Sequence, residues 1–139
     1  MKIFFDSSAF AKRYIDEPGS QAVDAFCMKA TELAMSVVCV PEVLSALNRC
    51  VRERKLSRQQ YHAAKRRLSE EIEDAVIINL TPSVIATCIT ILEANSIRAM
   101  DALHIACAIH WETELFVSAD KQQITAARKA GLRTELVPS

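Results

Sequence analysis

Only two glycines, Gly19 and Gly131, occur in this chain of 139 residues, and neither lies in a run able to wrap a phosphate. The glycine-rich fingerprints of dinucleotide and P-loop binding are therefore missing, and nucleotide cofactors lose most of their case. Cysteines are odd in number and unpaired in pattern. Cys27, Cys39, Cys50, Cys88 and Cys107 include no C-x-x-C and sit inside apolar segments, so they read as reduced core thiols rather than as a disulfide framework or a zinc site. No apolar run approaches the roughly 20 residues that span a bilayer, and Asp6 interrupts the first apolar stretch well short of a signal-peptide core. A cytoplasmic protein with no membrane association is the expectation. Charge of one sign is also lacking: 17 basic and 17 acidic side chains give a net charge of zero, which argues against a uniformly basic surface and leaves only local patches.

What is present is hydrophobic and evenly spread. Half the residues are apolar, no repeat or low-complexity stretch stands out, and a chain of this length buries about two thirds of its unfolded surface, so one domain over residues 1–139 is expected. Ile3 to Phe5 reads as a strand that Asp6-Ser7-Ser8 ends by capping a helix to about Tyr14. Apolar spacing predicts a helix over about 20–31, then a strand near 33–38, with Pro41 at the first position of the next helix. Ser57 and Gln60 form a capping-box pattern that opens a second helix, so about 41–73 is a helical hairpin. A strand over 75–80, a helix that Thr81-Pro82 starts, a mostly apolar helix over 99–111, a strand over 114–118, a helix over 120–129 and a strand over 133–137 complete the chain. Strands alternating with helices of ten or more residues imply a central parallel sheet with right-handed crossovers, hence a three-layer α/β/α sandwich.

In such a sheet, ligands bind beyond the carboxyl ends of the strands. Asp6 follows the first strand, Glu42 lies a few residues past the second, Asp120 lies two past the fourth, and Asp101 stands in the first turn of the apolar helix. Each alone is explained by the preference of acids for helix N-termini, worth about 0.3–1 kcal/mol. Four acids at one edge repel by more than capping recovers unless a cation sits among them. The donor set is all oxygen, which favours Mg²⁺ or Mn²⁺ over zinc. His104, three residues after Asp101 on the same helix face, reads either as a core histidine or as a partner of the acids, and Arg98 could neutralise Asp101 as a plain salt bridge. Phosphodiester hydrolysis at a carboxylate-held ion needs no protein nucleophile, and no G-x-S-x-G elbow or Cys and His pair suggests one.

The runs Phe-Phe-Asp6-Ser7-Ser8-Ala-Phe, Ser36-x-x-x-x-Pro41-Glu42-Val, Asp101-Ala-Leu-His-Ile-Ala and Val-Ser118-Ala-Asp120-Lys resemble the PIN domain, particularly VapC-type toxins of toxin and antitoxin pairs, over residues 3–121. The resemblance implies that Asp6, Glu42, Asp101 and Asp120 hold one or two Mg²⁺ or Mn²⁺ ions and are the catalytic residues. Ser8, Ser118 and His104 then support them, and Ser8 orients Asp6. It also implies an RNA substrate, a cognate antitoxin and a homodimer. Gln122 and Gln123 stand where a further acid follows in some members, which puts a second metal position in question.

Between Arg49 and Arg67 the hairpin carries eight basic residues against the single acid Glu53, a local charge of +7. Arg49, Arg52, Lys65, Arg66 and Arg67 are candidate contacts for RNA or an antitoxin; the alternative is a solvated helix face offset by Glu70, Glu71, Glu73 and Asp74. Two rival functions remain. A receiver-like phosphoacceptor domain needs paired acids after its first strand and an aspartate after its third, where this chain has serines and Leu80-Thr81-Pro82; a haloacid-dehalogenase-like phosphatase needs D-x-D, and Ser8 takes the second position. A catalytically silent interaction module of the same fold is the other rival, and the presence of all four acids weighs against it.

Overall fold

A computed structural model describes residues 1–139. The elements run β1 (Lys2–Phe5), α1 (Ser7–Phe10), a 3-10 turn (Ala11–Arg13), α2 (Ser20–Lys29), β2 (Glu32–Ser36), α3 (Cys39–Arg52), α4 (Arg58–Glu73), β3 (Val76–Ile78), α5 (Pro82–Ala94), α6 (Ala99–Trp111), β4 (Leu115–Ser118), α7 (Lys121–Lys129) and β5 (Thr134–Leu136). All five strands are parallel, in the order β3-β2-β1-β4-β5. No helix is long and apolar enough to cross a membrane.

Alternation along the strands produces the three layers. Ile3, Phe5, Met35, Leu115 and Val117 face a core built with α1 to α4, including Phe10, Val23, Val43, Leu47 and Leu68. Their neighbours Phe4, Ala34 and Phe116 face the opposite core, built with Val84, Ile91, Ile105 and Ile124 of α5, α6 and α7. Phe4 and Phe116 stack at 5.8 Å on that face. Crossovers that leave β1 therefore cover one face and those that leave β4 cover the other, and the two strands are neighbours. A crevice opens between the diverging connections at the carboxyl ends of β1 and β4.

Helix starts largely follow the local chemistry. Ser57 and Gln60 form both bonds of the capping box, at 3.0 and 2.9 Å, and Thr81 caps α5 with Pro82 behind it. Two starts differ from expectation. α3 begins at Cys39 rather than at Pro41, because the first helical bond runs from Glu42 N to Val38 O; Pro41 takes the third position, where its missing N–H is still one that the helix leaves without a partner. The first helix stops at Phe10 and tightens into the 3-10 turn instead of running on to Tyr14. All five cysteines are free; Cys39, Cys88 and Cys107 are buried, whereas Cys27 and Cys50 are partly exposed.

Phe116 is fully buried and stacked on Phe4, so Phe116→Ala is expected to lower the unfolding free energy by about 3–5 kcal/mol. Met28→Ala, at a side chain 88% exposed on α2, should cost under about 0.5 kcal/mol. Urea midpoints at unchanged slope measure both.

Candidate active site

Asp6 caps α1 directly after β1, at 1% exposure. Its Oδ1 accepts from Ala9 N at 2.9 Å and its Oδ2 from Ser118 Oγ at 2.6 Å, and Ser8 Oγ lies 2.9 and 2.8 Å from the two oxygens. Burial pushes the Asp6 carboxyl above its ordinary value, against the pull of nearby His104 and of these donors. A carboxylate this dry is held by its hydrogen bonds.

Glu42 lies in the first turn of α3, half-buried, and its Oε1 accepts from both Ser7 Oγ and His104 Nε2 at 2.6 Å. Burial works to raise the Glu42 carboxyl, but the bonds from His104 and Ser7 outweigh it and hold it below the usual value. His104 is 1% exposed, lies 3.2 Å from Ser7 Oγ through the same Nε2, and leaves Nδ1 without a partner. It is thus both buried and tied to an acid. An orphaned buried nitrogen costs about 1–3 kcal/mol, and with the Nε2–H tautomer the orphan is an acceptor.

Asp120 is the N-cap of α7, its Oδ1 accepting from Gln122 N at 2.8 Å and Gln123 N at 3.2 Å. Asp101, in the first turn of α6, is raised first by burial and then by the charges of Asp120, Asp6 and Glu42. The four acids therefore stand within electrostatic reach of one another. Oxygens of Asp101, Oε2 of Glu42 and Oδ2 of Asp120 have no protein donor. No three His, Cys, Asp or Glu side chains already stand at joint ligand distance around one point.

Two cavities adjoin the acids. One of about 530 Å³ includes Ser7, Ser8, Glu42, Asp101, Arg49 and Lys55; another of about 440 Å³ includes Glu42, Asp101, Asp120, Met100 and Gln122. Arg98 borders both and makes no ion pair with Asp101, contrary to the salt-bridge alternative; its backbone is extended just before α6. The basic hairpin is divided. Arg49 faces the crevice, Lys65 and Arg66 line a separate hollow on α4 with His62, Ser69 and Glu70, and Arg52 is exposed. Arg67 is held by Glu71 at 3.0 Å and lies over the Tyr14 ring. Glu71 also receives Arg13 and Tyr14, which binds α4 to the 3-10 turn beside α1.

Sequence reasoning missed two participants. Ser7 reads there only as a strand-ending, helix-capping residue, yet it bonds Glu42; its place beside Asp6 in the Asp-Ser-Ser run was the available signal. Gln123 reads only as a missing acid, yet it is 1% exposed and donates to the Asp101 backbone carbonyl at 3.1 Å.

A family model described as PIN domain matches residues 3–129. The chain belongs to the PIN domain family. No curated protein sequence matches it. Its PIN fold is similar to solved structures at low identity: a VapC20 toxin from Mycobacterium tuberculosis, described as sarcin-ricin loop cleaving, has a TM-score of 0.70 at 16% identity, covering 98% of this chain and 99% of that one. FitAcB from Neisseria gonorrhoeae matches at 0.69 and 16%, covering 95% of each chain. VapBC2 from Rickettsia felis, bound to promoter DNA, matches at 0.69 and 15%, covering 98% of each.

Because the Asp101 carboxyl lies above its ordinary 3.8 in the folded PIN domain, folding favours its protonated form. Its contribution to stability is then lost as pH rises from about 3.8 through the raised value. Asp101→Asn in EDTA is expected to be more stable than wild type at neutral pH, with the advantage vanishing in acid. Urea melts across pH measure the difference, and equal loss at every pH would contradict it.

Proposed function

We propose that this chain is a single PIN nuclease domain that hydrolyses RNA phosphodiester bonds with Mg²⁺ or Mn²⁺ held by Asp6, Glu42, Asp101 and Asp120. The observation that carries the reading is electrostatic: Asp101 feels the charges of all three other acids, with no Lys or Arg paired to any of the four. Their oxygens suit a hard divalent cation and not zinc. Three of the acids retain oxygens with no protein donor, so the donor set fits. Asp6, Glu42, Asp101 and Asp120 are the residues that would hold the ion.

A divalent ion here supplies electrophilic stabilisation at the phosphoryl oxygens and the departing oxygen. The protein supplies order. Ser8, Ser118 and the Ala9 amide fix Asp6, while Ser7 and His104 hold one Glu42 oxygen and leave the other free. Repulsion among the acids favours the binding of a cation between them. Arg49 faces the crevice as an RNA contact; Arg52, Lys65 and Arg66 lie farther along the hairpin, where RNA or an antitoxin can reach them.

The toxin reading takes support from relatives described as toxins and toxin-antitoxin complexes. With it go a cognate antitoxin, a cytoplasmic site of action and a homodimer. Ile85 and Ile89, one turn apart on α5, are large apolar side chains left exposed, which a subunit contact would cover.

Purified protein is expected to cleave labelled RNA with Mg²⁺ or Mn²⁺ and to stop in EDTA. Asp6→Asn and Asp101→Asn should each lower cleavage by at least about 100-fold with unchanged circular dichroism. Full activity in either variant would remove that residue from the site. Calorimetry of Mg²⁺ binding in buffers of different ionisation enthalpy should also register proton release, growing as pH falls toward the raised values of Asp6 and Asp101.

A further inference from the structure

Glu42, Arg98 and Asp101 border both cavities, so the two volumes are halves of one crevice that meet at these three residues. The half beside α3 is lined by Arg49 and Lys55 together with Glu17 and Glu53, and Lys55 lies 3.7 Å from Glu53. The other half is lined by Asp101, Asp120, Glu42, Met100 and Gln122, with Arg98 as its single cation. Charge therefore differs sharply along the crevice.

A polyanionic strand laid across this crevice meets two different problems. The phosphate at the four acids is accommodated only by a cation among them, whereas its neighbours must be held against the same negative field by the protein. Arg49 and Arg98 are guanidinium groups free of ion pairs, one beside the acids on the α3 side and one at the junction. A guanidinium close to three carboxylates ordinarily folds onto one of them in a bidentate pair. Arg98 makes no such pair, although it borders the crevice together with Glu42, Asp101 and Asp120. Its donors remain available to a ligand whose geometry suits a planar fork, which a phosphodiester does.

We propose that Arg98 is a substrate-positioning residue that grips the RNA phosphate adjoining the one at the acids, with Arg49 holding the strand farther along α3. This rests on the ribonuclease reading and adds to it a direction of entry. The strand is held from the α3 side, and beyond Arg98 the crevice offers Met100 and Gln122, an apolar and an amide surface with no further cation, suited to a base or ribose rather than to a phosphate.

The test is equilibrium binding of a fluorescein-labelled single-stranded RNA in EDTA across salt concentrations, cleavage kinetics in Mg²⁺, and Mn²⁺ affinity by electron paramagnetic resonance. Arg98→Ala is expected to weaken RNA binding about 10-fold and to reduce the slope of log K against log salt by about one. It should raise KM with little change in kcat and leave Mn²⁺ affinity and thermal stability unaltered. Arg98→Lys should restore the salt slope but only part of the affinity, because an ammonium keeps the charge and loses the fork. Arg133→Ala, an exposed arginine at the amino end of β5, is the control and should match wild type. Unchanged affinity and slope in Arg98→Ala, beside a wild type that binds and cleaves, would overturn the Arg98 assignment alone. Lost Mn²⁺ affinity or a lowered melting temperature would overturn it in favour of a structural role, and a wild type that neither binds nor cleaves RNA would overturn the ribonuclease reading together with it.

Discussion

A carboxylate removed from water at the end of the central strand constrains the architecture around it. Asp6 is almost wholly buried and follows Phe5 at the carboxyl end of β1, and an unsupported charge there would cost more than a small domain's margin of stability. Backbone N–H and two serine hydroxyls meet that cost, and each comes from a different place: Ala9 from the first turn of α1, Ser8 from its start, Ser118 from the neighbouring strand. Placing Asp6 therefore fixes the entry into α1, the β1 and β4 pairing and the turn into α7. Ser118 Oγ also accepts from Asp120 N at 3.0 Å, so the hydroxyl that supports the first acid also positions the last.

The second acid pair is organised differently. Glu42 and Asp101 come from helix first turns on opposite faces of the sheet, α3 and α6, and His104 on α6 is the bridge between them. Its bond to Glu42 joins one layer to the other across the crevice. The mutual repulsion of the acids acts against this framework rather than for it, as the raised Asp101 carboxyl shows. Such crowding stores a small instability in the folded state, one that a cation would relieve under the nuclease reading proposed above.

Much of the fold was legible in the chain because local chemistry and global arrangement agree. The capping box at Ser57 and Gln60, the Thr81-Pro82 start and the apolar runs of β1 and β4 each point to the element observed. Boundaries failed where two local signals competed. Pro41 is a good helix starter, yet the peptide before it was already helical, and Tyr14 continues an apolar pattern through a segment that tightens into a 3-10 turn. The charge of the hairpin was legible as a sum and not as a surface, since helical rotation sends Arg49 to the crevice, Lys65 and Arg66 to another hollow, and Arg67 to Glu71.

The sequence by itself determined the parallel layered fold and the placing of four acids toward one edge of the sheet, because apolar runs, helix period and residues at strand ends are properties of neighbours along the chain. Only the tertiary structure decided which side chains support those acids. Ser7 and Glu42 are 35 residues apart and Glu42 and His104 are 62 apart, and no local spacing encodes such pairings. The freedom of Arg98 was likewise undecided from sequence, because its proximity to Asp101 along the chain favours an ion pair that the structure does not form.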